Sequence, residues 1–119
     1  MPSTPSFRGA FTAITTPFTS DGSKIDFDRL AVQIQLQAQG GVTGIVASGT
    51  TGESPTLEHD EYHKLVEKCV ELGKPAGLMV IGGAGSNSTA HAVEMQKFCK
   101  SVGADATLSV NPYYNKPTQ

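Results

Sequence analysis

Four stretches of the chain hold residues whose type and spacing could do chemistry. In Gly49-Thr50-Thr51-Gly52-Glu53-Ser54-Pro55 two adjacent hydroxyls stand between two glycines. Glycines let backbone N–H groups approach an anion, and threonine hydroxyls donate or relay protons. No lysine follows the second glycine, so this is not a P-loop; taken alone, the stretch would also serve as a Ser/Thr-rich turn. Asn111-Pro112-Tyr113-Tyr114-Asn115-Lys116-Pro117 sets tandem tyrosines in a proline-stiffened loop, in a chain with only three tyrosines. A tyrosine hydroxyl of tuned acidity can shuttle protons; the plainer role is a hydrophobic plug. Gly83-x-Gly85-x-x-Ser88 imitates a dinucleotide fingerprint, with Asp105 twenty residues beyond Gly85. The acid of that fingerprint closes a strand, whereas Asp105 opens one, so nucleotide binding is not expected. His59-Asp60-Glu61-Tyr62-His63 spaces two imidazoles as a zinc helix would, but the metalloprotease order has Glu, not Asp, in second place. A solvated helix face is expected there, and no metal site is assigned.

These stretches need elements to position them. Phe11 to Thr16 is β-branched and aromatic, ends at Pro17, and predicts a strand. Asp26 suits a helix N-cap, followed by Phe27, Leu30, Ala31, Ile34 and Ala38 at helical spacing, with Gly40 at the C′ position. Ile45 to Ala47 is a short apolar strand. A second helix from near Thr56 carries Tyr62, Leu65, Val66, Cys69 and Val70 on one face and stops at Gly73 and Pro75. Leu78 to Ile81 is a continuous apolar run, as in a strand buried on both faces. A third helix from about Thr89 carries Ala92, Met95, Cys99 and Val102, ending at Gly103. Ala106 to Val110 is a fourth strand. The alternation β-α-β-α-β-α-β predicts a parallel sheet with right-handed crossovers. In such folds the active site lies at the carboxyl ends of the strands, where the Thr, Gly and Tyr stretches fall. Cys69 and Cys99 lie on core faces and read as small buried hydrophobes.

Composition removes other classes. The chain has 119 residues, 38% hydrophobic and 17% charged, with a net charge of −2; this is one globular domain's worth of chain. No basic block gives a footprint for nucleic acid. No apolar run approaches the length of a membrane span, and Met-Pro-Ser-Thr-Pro-Ser has neither the basic nor the apolar region of a signal peptide. Two cysteines are too few for a disulfide scaffold, so a cytoplasmic location is expected.

Taken together, Gly49-Thr50-Thr51-Gly52-Glu53-Ser54, Gly85-Ser86-Asn87-Ser88-Thr89 and Asn111-Pro112-Tyr113-Tyr114-Asn115-Lys116-Pro117 resemble the 4-hydroxy-tetrahydrodipicolinate synthase (dihydrodipicolinate synthase) family. The opening Gly9-Ala10-Phe11-Thr12-Ala13-Ile14-Thr15-Thr16-Pro17-Phe18 fits as well, so the resemblance covers nearly the whole chain from about Arg8. Within the pyruvate-dependent class I aldolases, Thr50-Thr51 favours the synthase, since the sister N-acetylneuraminate lyases usually carry Ser-Thr there. The resemblance implies a TIM barrel, a Schiff base of pyruvate on a lysine, and no cofactor. The derived enamine attacks aspartate semialdehyde on the route to lysine and diaminopimelate. It implies Thr50 and Tyr114 as proton-relay hydroxyls, with Tyr114 reaching a neighbouring subunit's site in a homo-oligomer. Thr50 and Thr51 would bind pyruvate, Thr51 holding its carboxylate together with the loop backbone. Ser54, His59, Asn87 and Tyr113 match the positions at which many members bind lysine as an inhibitor. At His91 members that respond to lysine usually carry a Glu, and a neutral imidazole loses that ion pair with the ligand's ammonium.

A TIM barrel takes about 200 to 250 residues and eight strands. The expectation is therefore the N-terminal half of a (β/α)8 barrel: residues 1–119 as a single partial domain, truncated after strand 4. The resemblance puts the family's Schiff-base lysine, an arginine and a second tyrosine loop beyond these residues. Such a lysine must be desolvated to be neutral and nucleophilic. Lys64, Lys68, Lys74, Lys97 and Lys100 fall on helices or their ends, Lys24 in a polar turn, and Lys116 beside Asn and Pro aimed at solvent, so the chain alone is expected to be inactive. The other readings are a sialate lyase or 2-keto-3-deoxy-acid aldolase, and a non-catalytic half-barrel.

Overall fold

The computed structural model describes residues 6–114 and residue 118. Four strands alternate with three helices: β1 Phe11–Ala13, α1 Phe27–Gln39, β2 Gly44–Ala47, α2 His59–Gly73, β3 Met79–Gly83, α3 Thr89–Ser101 and β4 Ala106–Leu108. All pairings are parallel and the sheet order follows the chain, β1-β2-β3-β4.

Each helix begins on a cap. The Asp26 carboxylate accepts from Arg29 N at 3.0 Å, and the Ser88 hydroxyl from His91 N at 3.3 Å, satisfying amides that the first turn leaves orphaned. The second helix starts at His59 rather than near Thr56. Ser54–Thr56 forms a separate 3-10 turn, Leu57 is extended, and the Glu61 carboxylate accepts from Glu58 N at 2.9 Å. At the end of α1, Gly40 keeps helical angles and the left-handed residue is Gly41, at φ 84°. The C′ glycine is therefore Gly41, one residue later than the spacing predicts.

The sheet buries one face under the helices. Ile45 pairs with Val80 and both are fully buried. They pack with Leu30 and Ile34 of α1 and Leu65, Cys69 and Val70 of α2. A second cluster joins Tyr62 and Val66 of α2 to Met95 and Cys99 of α3. Both cysteines are buried and free, and desolvation pushes the Cys69 thiol up to about 12, so neither is poised for redox work. The other face carries Ala13, Val46, Ile81 and Ala106 in one row. Leu108, which pairs with Gly83 on that face, is 57% exposed.

Two strands are shorter than expected. β1 leaves the ladder after Ile14 N bonds Val46 O at 3.2 Å, because the next side chains turn to other partners. Thr15 Oγ1 accepts from Gln33 Nε2, and Thr16 Oγ1 donates to Gly52 O. β4 stops at Leu108 rather than Val110: β3 ends at Gly83, Ala84 N bonds Leu108 O, and past it Gly85 lies against Val110 with no further ladder hydrogen bond among the described residues. Asp105 lies at the opposite end of β4 from the Tyr loop. Its carboxylate accepts from Lys74 Nζ at 2.7 Å and Val80 N at 2.9 Å, a structural role at the sheet's amino end. No helix among the described residues is long and apolar enough to cross a membrane.

Candidate active site

The carboxyl ends of the strands lead into four loops, and the chemistry predicted from sequence gathers there. The loop after β2 is folded in on itself. Glu53 N donates to Thr50 O at 3.0 Å, Ser54 N to Gly49 O at 3.3 Å, and Thr16 Oγ1 to Gly52 O at 2.6 Å. With three of its carbonyls bound inward, the loop holds the negative ends of those dipoles away from its tip. Thr50 and Thr51 occupy that tip and are exposed, so their hydroxyls stand free to meet a ligand carboxylate or move a proton.

The backbone here is strained. Among the described residues, the non-glycine positions with left-handed angles are Ser48 (φ 57°), Glu53 (φ 62°) and Tyr114 (φ 68°). The first two bracket the hydroxyl loop and the third is a predicted relay residue. Such angles cost of order 1 to 3 kcal/mol each and concentrate where function over-determines the backbone. Ser48 is 1% exposed, and its hydroxyl has no partner among the described residues.

The loops after β3 and β4 are joined. Asn87 Oδ1 accepts from Tyr113 N at 2.6 Å, and Ser86 Oγ accepts from Ser88 N at 3.1 Å. Tyr114 is 95% exposed, so among the described residues its ring has little to pack on and does not meet Thr50. Asn115, Lys116 and Pro117 lie outside the described residues, and with them the expectation that Lys116 points to solvent.

Of the positions matched to an effector site, Asn87 and Tyr113 are bonded as above, and the rings of His59 and His91 lie 6.4 Å apart. Ser54 is half-buried at the start of the 3-10 turn. His63 stacks flat on Phe98 at 3.8 Å and touches His59 at 4.1 Å. Among the described residues no three His, Cys, Asp or Glu side chains converge to hold a metal ion.

Sequence reasoning missed three participants. Thr16, Ser48 and Tyr62 all shape the site from beneath. Tyr62 is the one with a sequence signal, a polar-tipped aromatic on an otherwise apolar helix face, which when buried seeks a partner for its hydroxyl. That hydroxyl donates to Gly83 O at 2.7 Å and lies 3.1 Å from Cys99 Sγ. Desolvation first, then the neighbouring thiol, hold it protonated far above the usual tyrosine range.

The model of the dihydrodipicolinate synthetase family matches residues 6–119. The 4-hydroxy-tetrahydrodipicolinate synthase of Rhodopseudomonas palustris (strain BisA53) is 56% identical over 119 residues, all of this chain and 39% of the relative. That of Methanocaldococcus jannaschii is 52% identical over 113 residues, 95% of this chain and 38% of the relative. The crystal structure of a dihydrodipicolinate synthase from Acinetobacter baumannii, complexed with pyruvate, superposes with a TM-score of 0.90 at 39% identity, covering 95% of this chain and 38% of that one. A structure from Cyanidioschyzon merolae with lysine bound gives 0.87 at 40% identity, covering 91% and 36%. The chain thus spans less than two fifths of the relatives it matches, and its four parallel strands and three helices are half of a TIM barrel. A family model matched over nearly its whole length, on a sheet whose carboxyl ends carry the paired threonines and tandem tyrosines, makes this chain a member of the dihydrodipicolinate synthetase family.

Proposed function

We propose that this chain forms the N-terminal part of a 4-hydroxy-tetrahydrodipicolinate synthase acting on pyruvate and L-aspartate-4-semialdehyde in lysine and diaminopimelate biosynthesis. In that reaction a lysine amine attacks the ketone carbon of pyruvate and water leaves, giving an imine. Loss of a methyl proton gives the enamine, whose carbon attacks the aldehyde. The chain's own part is to bind and to move protons. Thr51 and the loop backbone hold the carboxylate, and Thr50 with Tyr114 relays protons during imine formation and ring closure. The observation that carries the reading is the exposed Thr50-Thr51 tip on a loop with its carbonyls turned inward. The near-complete exposure of Tyr114 on a left-handed backbone fits a hydroxyl delivered to a second subunit of a homo-oligomer. Ser54, His59, Asn87, His91 and Tyr113 form the candidate effector pocket, with an imidazole rather than a carboxylate at residue 91.

The test is a hybrid in which residues 1–119 of this chain replace the aligned residues of the Rhodopseudomonas palustris relative. It is expected to consume pyruvate only when aspartate semialdehyde is present. A folded hybrid that consumes neither would overturn the reading, and one that prefers another aldehyde would favour a different pyruvate aldolase.

The chain alone should not form the imine. Lys64 and Lys68 lie on α2, Lys74 caps it, Lys97 and Lys100 lie on α3, and Lys24 is in an exposed turn. None of these is a desolvated amine beside Thr50. Borohydride treatment with pyruvate is therefore expected to leave the mass of the 119-residue chain unchanged; a pyruvyl adduct on any lysine would overturn this.

A further inference from the structure

We propose that Tyr62 is a positioning residue for the hydroxyl loop, acting through the last residue of β3; its catalytic arm rests on the function proposed above. Tyr62 is 4% exposed and lies in the first turn of α2, the helix that follows the Thr50 loop. Its hydroxyl has a single proton, given to Gly83 O at 2.7 Å. The contact with Cys99 Sγ at 3.1 Å must then have the thiol as donor. One oxygen thus ties together α2, the carboxyl end of β3, and α3.

The tie reaches the site through backbone contact. A Cβ on Gly83 would run into the carbonyl of Ser48, so the two backbones lie against each other with no side chain between them. Ser48 immediately precedes Gly49-Thr50. It has a left-handed backbone, and its hydroxyl bonds no other described residue. Its conformation is therefore set by what packs on its main chain: Gly52, within its own loop, and Gly83, the neighbour from β3. The phenol holds the Gly83 peptide in one orientation. Without it the Gly83 carbonyl is left buried and unpaired, and the peptide that abuts Ser48 is free to turn. Displacing a reactive group by about 1 Å is enough to cost up to about 10²-fold in rate.

Tyr62→Phe keeps the ring and deletes the hydroxyl. In the full 119-residue chain, amide hydrogen exchange should quicken across residues 48–54 and 83–86 and stay unchanged in α1. In the hybrid synthase kcat should fall about tenfold to 10²-fold, with the KM for pyruvate within about twofold of the parent's. Cys69→Ala, in the separate cluster beneath α1 and α2, loosens the core without touching the tie and should leave kcat near the parent's. Exchange that is unchanged, or that rises equally in α1, would overturn the proposal. So would an unaltered kcat in a hybrid that Thr50→Val disables. A parent hybrid without synthase activity would count against the proposed function, while the exchange result still decides the role of Tyr62.

Discussion

Thr50→Val in the hybrid synthase is expected to lower turnover by about 10²- to 10⁴-fold, the usual loss when a positioned proton-transfer group is removed. Valine keeps the branched shape and deletes only the hydroxyl. The fold should not notice. Thr50 is exposed, and its one hydrogen bond among the described residues is the main-chain carbonyl accepting from Glu53 N at 3.0 Å, which valine retains. Loss of rate without loss of structure therefore separates a relay from a packing residue. Thr51→Val serves as the contrast. If that hydroxyl grips the substrate carboxylate, its removal should raise the KM for pyruvate more than it lowers kcat. Stopped-time assays with circular dichroism on the same preparations measure both. Turnover of Thr50→Val within about a factor of two of the parent, far outside the range for a lost relay, would show the assignment to be wrong.

On its own the 119-residue chain is expected to pair with a second copy of itself rather than sediment as a monomer. Two features drive this. The sheet has β1 at one edge and β4 at the other, each, among the described residues, without a strand on its outer side and so able to template a further strand. The face opposite the helices presents Ala13 and Ile81 in one row and Leu108 in the next, and Leu108 and Val110 are more than half exposed. Contiguous apolar surface of more than a few hundred Å² on a monomer draws a partner. Sedimentation velocity at micromolar concentration reads the outcome. A sharp monomer boundary with cooperative thermal unfolding would overturn it and make the chain a self-sufficient domain.

The fold was legible in the sequence where periodicity is long, and less so where a partner decides. The buried face of α2 is the one the spacing predicts, Tyr62, Leu65, Val66, Cys69 and Val70. Element ends moved because contacts distant in sequence override local signals. Thr15 and Thr16 look like strand residues by propensity, yet Gln33 and Gly52 take them out of the ladder. Thr56 reads as a helix start, but Pro55 closes a 3-10 turn first. At the site, residue types were readable and their arrangement was not. Glycines on either side announce the Thr50-Thr51 loop. Nothing local says that Ser48 and Glu53, rather than the glycines, take the left-handed angles, or that Tyr62 bonds Gly83 across twenty-one residues. The chemistry is local to the motif, while the geometry is set by packing between elements.

The strand order has a kinetic consequence. Each strand pairs with its neighbour in sequence, so every ladder closes a span of only a few tens of residues. Folding rate falls as contacting residues grow more distant along the chain, because loop closure must be met before the contact rewards it. A chain emerging from the ribosome can therefore add one βα unit at a time. β1 and β2 can pair before β3 is synthesised, with Leu30 and Ile34 of α1, which pack on the sheet in the finished fold, available to cover them. Synthesis order and assembly order then coincide, which shortens the time any strand spends with both edges bare.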